Sequence, residues 1–293
     1  MNEDKIVKMC SPFFDLLKEE TGMIAGIDIG STSTKVVLLD NGCILCKMRV
    51  LASDAVAAAA GALGKLDTEK GYKIQSIDRI AITGAGASKI HQDIFDIPTV
   101  KIEEIMAIGH GGKFLSKRDD IIIANIGTGT PFIEVNQNGI AHIGGTGVGG
   151  GTIIGLAKAL IKTSDFNTIM DLASKGDLSR VDLMIKDIAD TDISFLAKDM
   201  TASNFAKMLE SATREDIAMA IINMVYQVIG MLSVFVAQSR NKDSIIVTGN
   251  GNNNAIGRNV LGSISEMYGI HFEFPEDAEF STAIGAVLAA SSA

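Results

Sequence analysis

The sequence has no tryptophan, only three cysteines, and fewer basic than acidic residues, 26 against 35 for a net charge of −9. Each shortage removes a class of function. Cys43 and Cys46 form a C-x-x-C pair, but no second pair and no histidine cluster completes a zinc site, so Cys10, Cys43 and Cys46 read as reduced core or strand thiols of a cytoplasmic protein. The acidic balance argues against a broad nucleic-acid footprint and leaves room for a small anionic ligand held by backbone N–H groups and one or two lysines. No uninterrupted run of roughly 18 apolar residues is present, so no membrane span is expected. Residues 1–22 lack a secretory pattern. Acids sit among the lysines, and Ile6, Val7, Met9, Phe13, Phe14, Leu16 and Leu17 are not contiguous, which suggests a short amphipathic helix or an N-terminal extension.

The chain is 47% hydrophobic and carries 30 glycines over 293 residues, which suits an α/β protein with two lobes of ordinary size. The expected division is an extension over 1–22, an N-terminal lobe over 23–118 and a C-terminal lobe over 119–293. Met23–Ile29, Lys35–Asp40 and Cys43–Leu51 read as strands, with Asn41-Gly42 a strong hairpin signal. Ala55–Lys65 is helical, Asp78–Thr83 and Val100–Ile102 are strands, and a helix follows from about Ile105 to Leu115. Ile121–Ala124 then starts the same plan again: strand, glycine turn, strand (Pro131–Val135), hairpin turn, strand. A helix is expected over Gly149–Ala159, further helices over Asp165–Lys175, Val181–Ala189 and Thr201–Leu209, and a long one over Asp216–Gln238. The chain closes with strand Ser244–Thr248, helix Asn259–Tyr268, strand His271–Phe274 and helix Ser281–Ser291. Hairpins followed by alternating helices and strands imply a mixed sheet in each lobe.

Three constellations carry chemistry. Asp28-Ile-Gly30-Ser31-Thr32-Ser-Thr34-Lys35 places a carboxylate at a strand end beside a glycine turn. It can hold hydrated Mg²⁺ near phosphate oxygens, with hydroxyls and Lys35 to meet their charge; the alternative is an ordinary hairpin. Asn125–Thr130 (NIGTGT) and Gly144–Gly151 (GGTGVGGG) put exposed N–H groups where an anion can approach, with a helix dipole behind them, and read as a phosphate cradle. Thr248–Asn254 (TGNGNNN) can line an adenine or ribose, or be a simple Gly/Asn loop. There is no G-x-x-x-x-G-K-[ST], and the G-x-G-x-x-G at Gly145–Gly150 follows a hairpin rather than opening a βαβ unit.

Two glycine hairpins, one per lobe, resemble the two-lobed actin-like ATPase (ribonuclease H-like) fold shared by actin, Hsp70 chaperones and sugar kinases. Within it the chain resembles type II pantothenate kinases from roughly Gly26 to Leu288, through Asp28-Ile-Gly-Ser-Thr32 with Lys35, Asn125–Thr130, Gly144–Gly151, Thr201-Ala-Ser-Asn-Phe205 and Phe280–Ala286. The resemblance implies ATP-dependent phosphorylation of the primary hydroxyl of pantothenate, the first step of coenzyme A synthesis. It implies Glu104 as general base, with Glu103 its confusable neighbour, and Asp28 holding Mg²⁺ through water. It also implies that Gly30, Ser31, Thr32, Lys35, Gly127, Thr128, Gly129, Gly147, Gly149, Gly150, Gly151 and Gly249 bind ATP, while His142 and Thr201 lie at the pantothenate end. A homodimer with Asp216–Gln238 as candidate interface and CoA or acyl-CoA as feedback ligand also follow from it, with no nucleic-acid or membrane partner.

The chain departs from that family at three places. His142 stands where an arginine usually grips pantothenate, Ser31 replaces a usual glycine, and an aromatic residue expected near Gly251–Asn253 is missing. GIDIGSTSTK also resembles the activator ATPases of 2-hydroxyacyl-CoA dehydratases, which carry a cluster-binding cysteine in the second lobe; here every cysteine precedes residue 47. A hexosamine kinase would need an aspartate base, and no clear candidate stands in the matching region. A silent acyl-CoA sensor is the remaining alternative.

Overall fold

The computed structural model describes residues 9–10, 22–31, 33–51, 54–189 and 197–291. Most of the expected N-terminal extension, and Thr32 of the first constellation, lie outside the described residues. Within the extension Met9–Cys10 forms a strand, β1, not part of a helix.

The first sheet follows from strong strand sequences and one sharp turn. β2 (Met23–Ile29), β3 (Thr34–Asp40) and β4 (Cys43–Val50) form an antiparallel meander, and β1 adds to its outer edge. Asn41 and Gly42 both have positive φ, 44° and 75°, the mirror-image turn whose twist matches the strands it joins. α1 (Ala55–Lys70) runs five residues beyond the sequence reading. Leu66 continues its buried stripe, and the stop signal is Gly71, whose left-handed conformation (φ 79°) returns its N–H to the carbonyls of Leu66 and Asp67. β5 (Arg79–Thr83) and β6 (Thr99–Lys101) add parallel to β2, and α2 (Glu104–Ser116) follows.

The second sheet repeats this plan. β7 (Ile121–Asn125), β8 (Thr130–Asn136) and β9 (Gly139–Thr146) are an antiparallel meander, followed by α3 (Gly150–Ile161) and α4 (Phe166–Ala173). The two helices expected over Val181–Ala189 and Thr201–Leu209 do not form. In their place β10 (Leu183–Met184) pairs with β11 (Thr201–Ser203). The cause is Asp182, fully buried, whose carboxylate accepts from Thr201 Oγ1 (3.0 Å), Asn204 Nδ2 (3.2 Å), Asn223 Nδ2 (3.0 Å) and the Phe205 N–H (2.8 Å). Side-chain bonds of this kind offer the backbone an alternative to helix, and Phe205 and Met208 take positive φ. α5 (Arg214–Ser239) opens with Thr213 and Asp216 capping each other's backbone N–H groups. β12 (Ser244–Thr248), α6 (Ala255–Tyr268), β13 (His271–Glu273) and α7 (Ser281–Ser291) complete the chain, with β12 parallel to β7 and β13 parallel to β12.

Both sheets therefore have the same spatial order, meander first and parallel strands last: β4-β3-β2-β5-β6, with β1 outside, and β9-β8-β7-β12-β13. This is the mixed sheet expected of each lobe. α5 is the spine of the second lobe, with Ile221, Ile222, Val225, Tyr226 and Ile229 buried against Ile122, Phe132 and Leu261. By length and composition α5 is apolar enough to cross a membrane; here 56% of its most apolar stretch is buried inside the protein.

The two lobes exchange helices. α2 lays Ile108 on Ile121, Ile123 and Ile133 of the second sheet, while α7 packs Ala283, Ile284 and Val287 against Val37 and Ala81 of the first. Where α2 crosses α7, a Cβ on Gly285 would overlap the Ala107 carbonyl, and one on Gly111 would overlap the Ser281 carbonyl. Only glycine lets the two backbones come so close.

Cys43, opposite Cys10 in the β1/β4 register, is disulfide-bonded, whereas Cys46 is free. The expectation of reduced thiols is thus corrected at Cys43, and the C-x-x-C spacing does not join its own two cysteines.

Candidate active site

The carboxyl ends of both sheets open into one cleft of about 620 Å³. From the first lobe come Asp28, Gly30, Ser31, Lys35 and Glu104; from the second come Asn125, the Gly127–Gly129 turn, His142 and Gly147. The structure thus brings both glycine turns, both candidate carboxylates and the candidate substrate histidine to one space. Glu104 lines the cleft as the first residue of α2, and Glu103, the residue before the helix, is not among the lining residues.

Asp28 is the next-to-last residue of β2, where it faces Lys35 of β3 in register, with 3.8 Å between carboxylate and ammonium. Neither side chain has more than 13% of its surface exposed. Burial lifts the Asp28 carboxyl to about 6; Lys35 draws it down, and the charge of Glu104 pushes it further up. Among the described residues no hydrogen bond reaches the Asp28 carboxylate. It is a charge seated at the cleft floor with spare coordination, which suits a hydrated divalent cation. No cluster of three or more His, Cys, Asp or Glu able to cage a metal occurs among the described residues, so a cation here would draw its other ligands from water and from whatever anion it accompanies.

The lobe repeat extends to single atoms. Asp28 pairs with Thr83 across β2/β5, and Asn125 pairs with Thr248 across β7/β12. Gly84 and Gly249 follow these threonines with positive φ, and a Cβ there would stand 2.6 Å from Asp28 Oδ1 in one lobe and 2.6 Å from the Ile126 carbonyl in the other, so only glycine fits. One pair has diverged in charge. Asn125 Oδ1 accepts from Thr248 Oγ1 at 3.0 Å, while Asp28 is ionisable and the buried Thr83 hydroxyl has no hydrogen-bond partner among the described residues.

Gly149, Gly150 and Gly151 do not line the cleft. Their N–H groups are already committed: Gly149 to Thr152 Oγ1 (3.1 Å), Gly150 to the Gly127 carbonyl (2.8 Å) and Gly151 to the Thr128 carbonyl (3.0 Å). They fasten the 127–129 turn to the start of α3, and a Cβ on Gly149 would stand 2.6 Å from the Thr128 carbonyl oxygen. Among the described residues no backbone hydrogen bond takes the N–H of Thr128, Gly129 or Gly147, and these three stand at the cleft. Thr201 is also elsewhere, donating to Asp182 and accepting from Asn223 at 3.2 Å. Gly249 is in the cleft, together with Asn250.

Sequence reasoning missed Gly84, Ala85, Glu279 and Thr282, which also line the cleft. Gly84 had a readable signal, since Thr83-Gly84-Ala-Gly86 repeats Thr248-Gly249-Asn-Gly251. Glu279 and Thr282 had a weaker one, their place in or beside the Phe280–Ala286 motif.

The Fumble family model matches residues 120–288. A type II pantothenate kinase of Bacillus anthracis is 30% identical over 276 residues, 91% of this chain and 97% of that protein. The enzyme of the same name from Bacillus cereus is 31% identical over the same shares. This chain belongs to the type II pantothenate kinase family. It is therefore a phosphotransferase of that family. A Staphylococcus aureus type II pantothenate kinase is 30% identical over 73% of this chain and 83% of its own. Among solved structures, the activator of the 2-hydroxyisocaproyl-CoA dehydratase from Clostridium difficile with bound ADPNP superposes with a TM-score of 0.64 at 20% identity, covering 92% of this chain and 94% of that one. A ROK family glucokinase from Streptomyces griseus in complex with glucose and AMPPNP gives 0.56 at 14% identity, covering 93% and 100%. These likenesses establish the actin-like ATPase and sugar-kinase fold for this pantothenate kinase family member.

Proposed function

We propose that the cleft transfers the γ-phosphoryl group of ATP to the primary hydroxyl of pantothenate, opening coenzyme A synthesis in the cytoplasm. The observation that carries this reading is the convergence of Asp28, Glu104 and both glycine turns on one cleft. Phosphoryl transfer asks little covalent chemistry of a protein. It needs in-line positioning, charge to meet the phosphate oxygens, and a base for the attacking hydroxyl. The N–H groups of Thr128, Gly129 and Gly147 and the Lys35 ammonium meet the phosphates. Asp28 would hold Mg²⁺ through water, and that ion, when bound, neutralises charge on the phosphate oxygens. Glu104, exposed at the cleft wall, takes the proton of the acceptor hydroxyl. Gly249 and Asn250 lie at the nucleoside end and His142 at the pantothenate end.

The long apolar α5 exposes Val228 and Phe235, which supports reading it as the face that a second copy covers in a homodimer. CoA or an acyl-CoA is the expected feedback ligand.

The deciding experiment is ATP turnover with pantothenate, pantetheine and a hexosamine, repeated with Glu104→Gln. Turnover of pantothenate that falls by roughly 10²–10⁴ in the variant supports the proposal. ATP consumption without any acceptor, undiminished in the variant, would mean a switch ATPase on the dehydratase-activator plan instead.

A further inference from the structure

The two phosphate turns touch through their side chains. Ser31 Oγ of the first turn and Thr128 Oγ1 of the second lie 2.6 Å apart, a full-strength O–H···O hydrogen bond between residues 97 positions apart in the chain. Ser31 is exposed, both residues line the cleft, and the bond spans the gap where an anion would have to sit. Each hydroxyl has one proton and room for another partner, so each can exchange its neighbour for a phosphate oxygen without leaving a buried group unpaired.

We propose that the Ser31–Thr128 hydroxyl pair is a latch between the lobes that the terminal phosphate of a nucleoside triphosphate opens, each hydroxyl then donating separately to a phosphoryl oxygen. The inference rests on the reading of the cleft as an ATP site and adds to it a named fastening between the two turns. The bond between the hydroxyls and the bonds to phosphate are alternatives, so the two residues act as one unit without ligand and as two with it.

That distinction is measurable with Ser31→Ala, Thr128→Ala, the double variant and Thr128→Ser, reading amide hydrogen exchange in the free protein and calorimetric affinity for ADPNP and ADP. In the free protein each alanine variant should raise exchange of the turn amides by roughly 5-fold, the worth of one neutral hydrogen bond, and the double variant should add nothing further. Thr128→Ser, which keeps the hydroxyl, should exchange like the wild type. In the ligand-bound state the preference for ADPNP over ADP should fall by roughly 5-fold in each single alanine variant, the lost charge-assisted bond being partly offset by a latch that no longer has to break, and by roughly 10²-fold in the double, more than the product of the two singles. Unchanged exchange, or additive effects in the free protein, would overturn the latch while leaving ATP binding intact. An undiminished preference for ADPNP would overturn the opening by phosphate. Failure of the wild type to bind either nucleotide would remove the ATP reading itself and the opening step with it, whatever the exchange shows.

Discussion

Asp28 and Lys35 stand opposite one another on adjacent strands, yet 3.8 Å separates carboxylate from ammonium and the carboxyl is still lifted to about 6. Burial outweighs the lysine. The folded protein holds the Asp28 proton more tightly than the unfolded chain, where the group titrates near 3.8. Its contribution to stability is therefore fully present below about pH 4 and is lost as pH rises through about 6. Asp28→Asn should stabilise the fold at pH 7 by on the order of 1 kcal/mol once the lost attraction to Lys35 is set against the relieved burial, raising the melting temperature, and should have little effect at pH 4. Calorimetry at the two pH values checks this.

The same carboxyl should set a pH limb for catalysis. If ionised Asp28 holds Mg²⁺, kcat/KM should fall as pH drops below about 6. Raising the Mg²⁺ concentration should move that limb to lower pH, because the cation competes with the proton. A limb that stays put at every Mg²⁺ concentration would assign it to another group.

His142 is exposed on β9 at the cleft, with its ring reaching toward Gly145. Imidazole offers no forked pair of donors for a carboxylate, whereas guanidinium does. His142→Arg should lower KM for pantothenate by about tenfold with kcat little changed. Steady-state kinetics at saturating ATP gives the answer, and an unchanged KM would place the pantothenate carboxylate elsewhere.

Asp182 is the buried centre of the β10/β11 turn. Asp182→Ala would leave the Thr201 hydroxyl, two asparagine amides and the Phe205 N–H without their acceptor. A loss of roughly 3–5 kcal/mol is expected, read as a lower midpoint in urea. Conversely, Gly285→Ala, which sets a methyl against the Ala107 carbonyl, should cost about 3 kcal/mol or more through forced separation of α2 from α7.

Much of this was readable beforehand, and the misses have physical causes. Asn41-Gly42 and the strands around it were legible because the turn's conformation demands those residues. The cleft residues of β2, β7 and the turns after them were legible because a polar side chain ends an apolar run at each. Val181–Ala189 and Thr201–Leu209 were misread as helices because their apolar spacing suits a helix, whereas the bonds that Asp182 accepts from Thr201, Asn204, Phe205 and Asn223 tip them toward turn and strand. Gly149–Gly151 were read as ligand contacts because glycine density looks the same whether it admits a ligand or another stretch of backbone. Glu279 and Thr282 reach the cleft only because α7 crosses back to the first sheet, a pairing that no local pattern announces.

That crossing has a consequence for the molecule as a whole. Each half of the protein is roofed by a helix encoded in the other: Val37 and Ala81 wait for α7, which follows the second sheet, and Ile123 and Ile133 are covered by a helix made before their own strands. The N-terminal sheet therefore keeps one side bare until the strands of the second sheet and α7 after them have been made, and a fragment cut anywhere between the sheets inherits two unroofed surfaces rather than one working half.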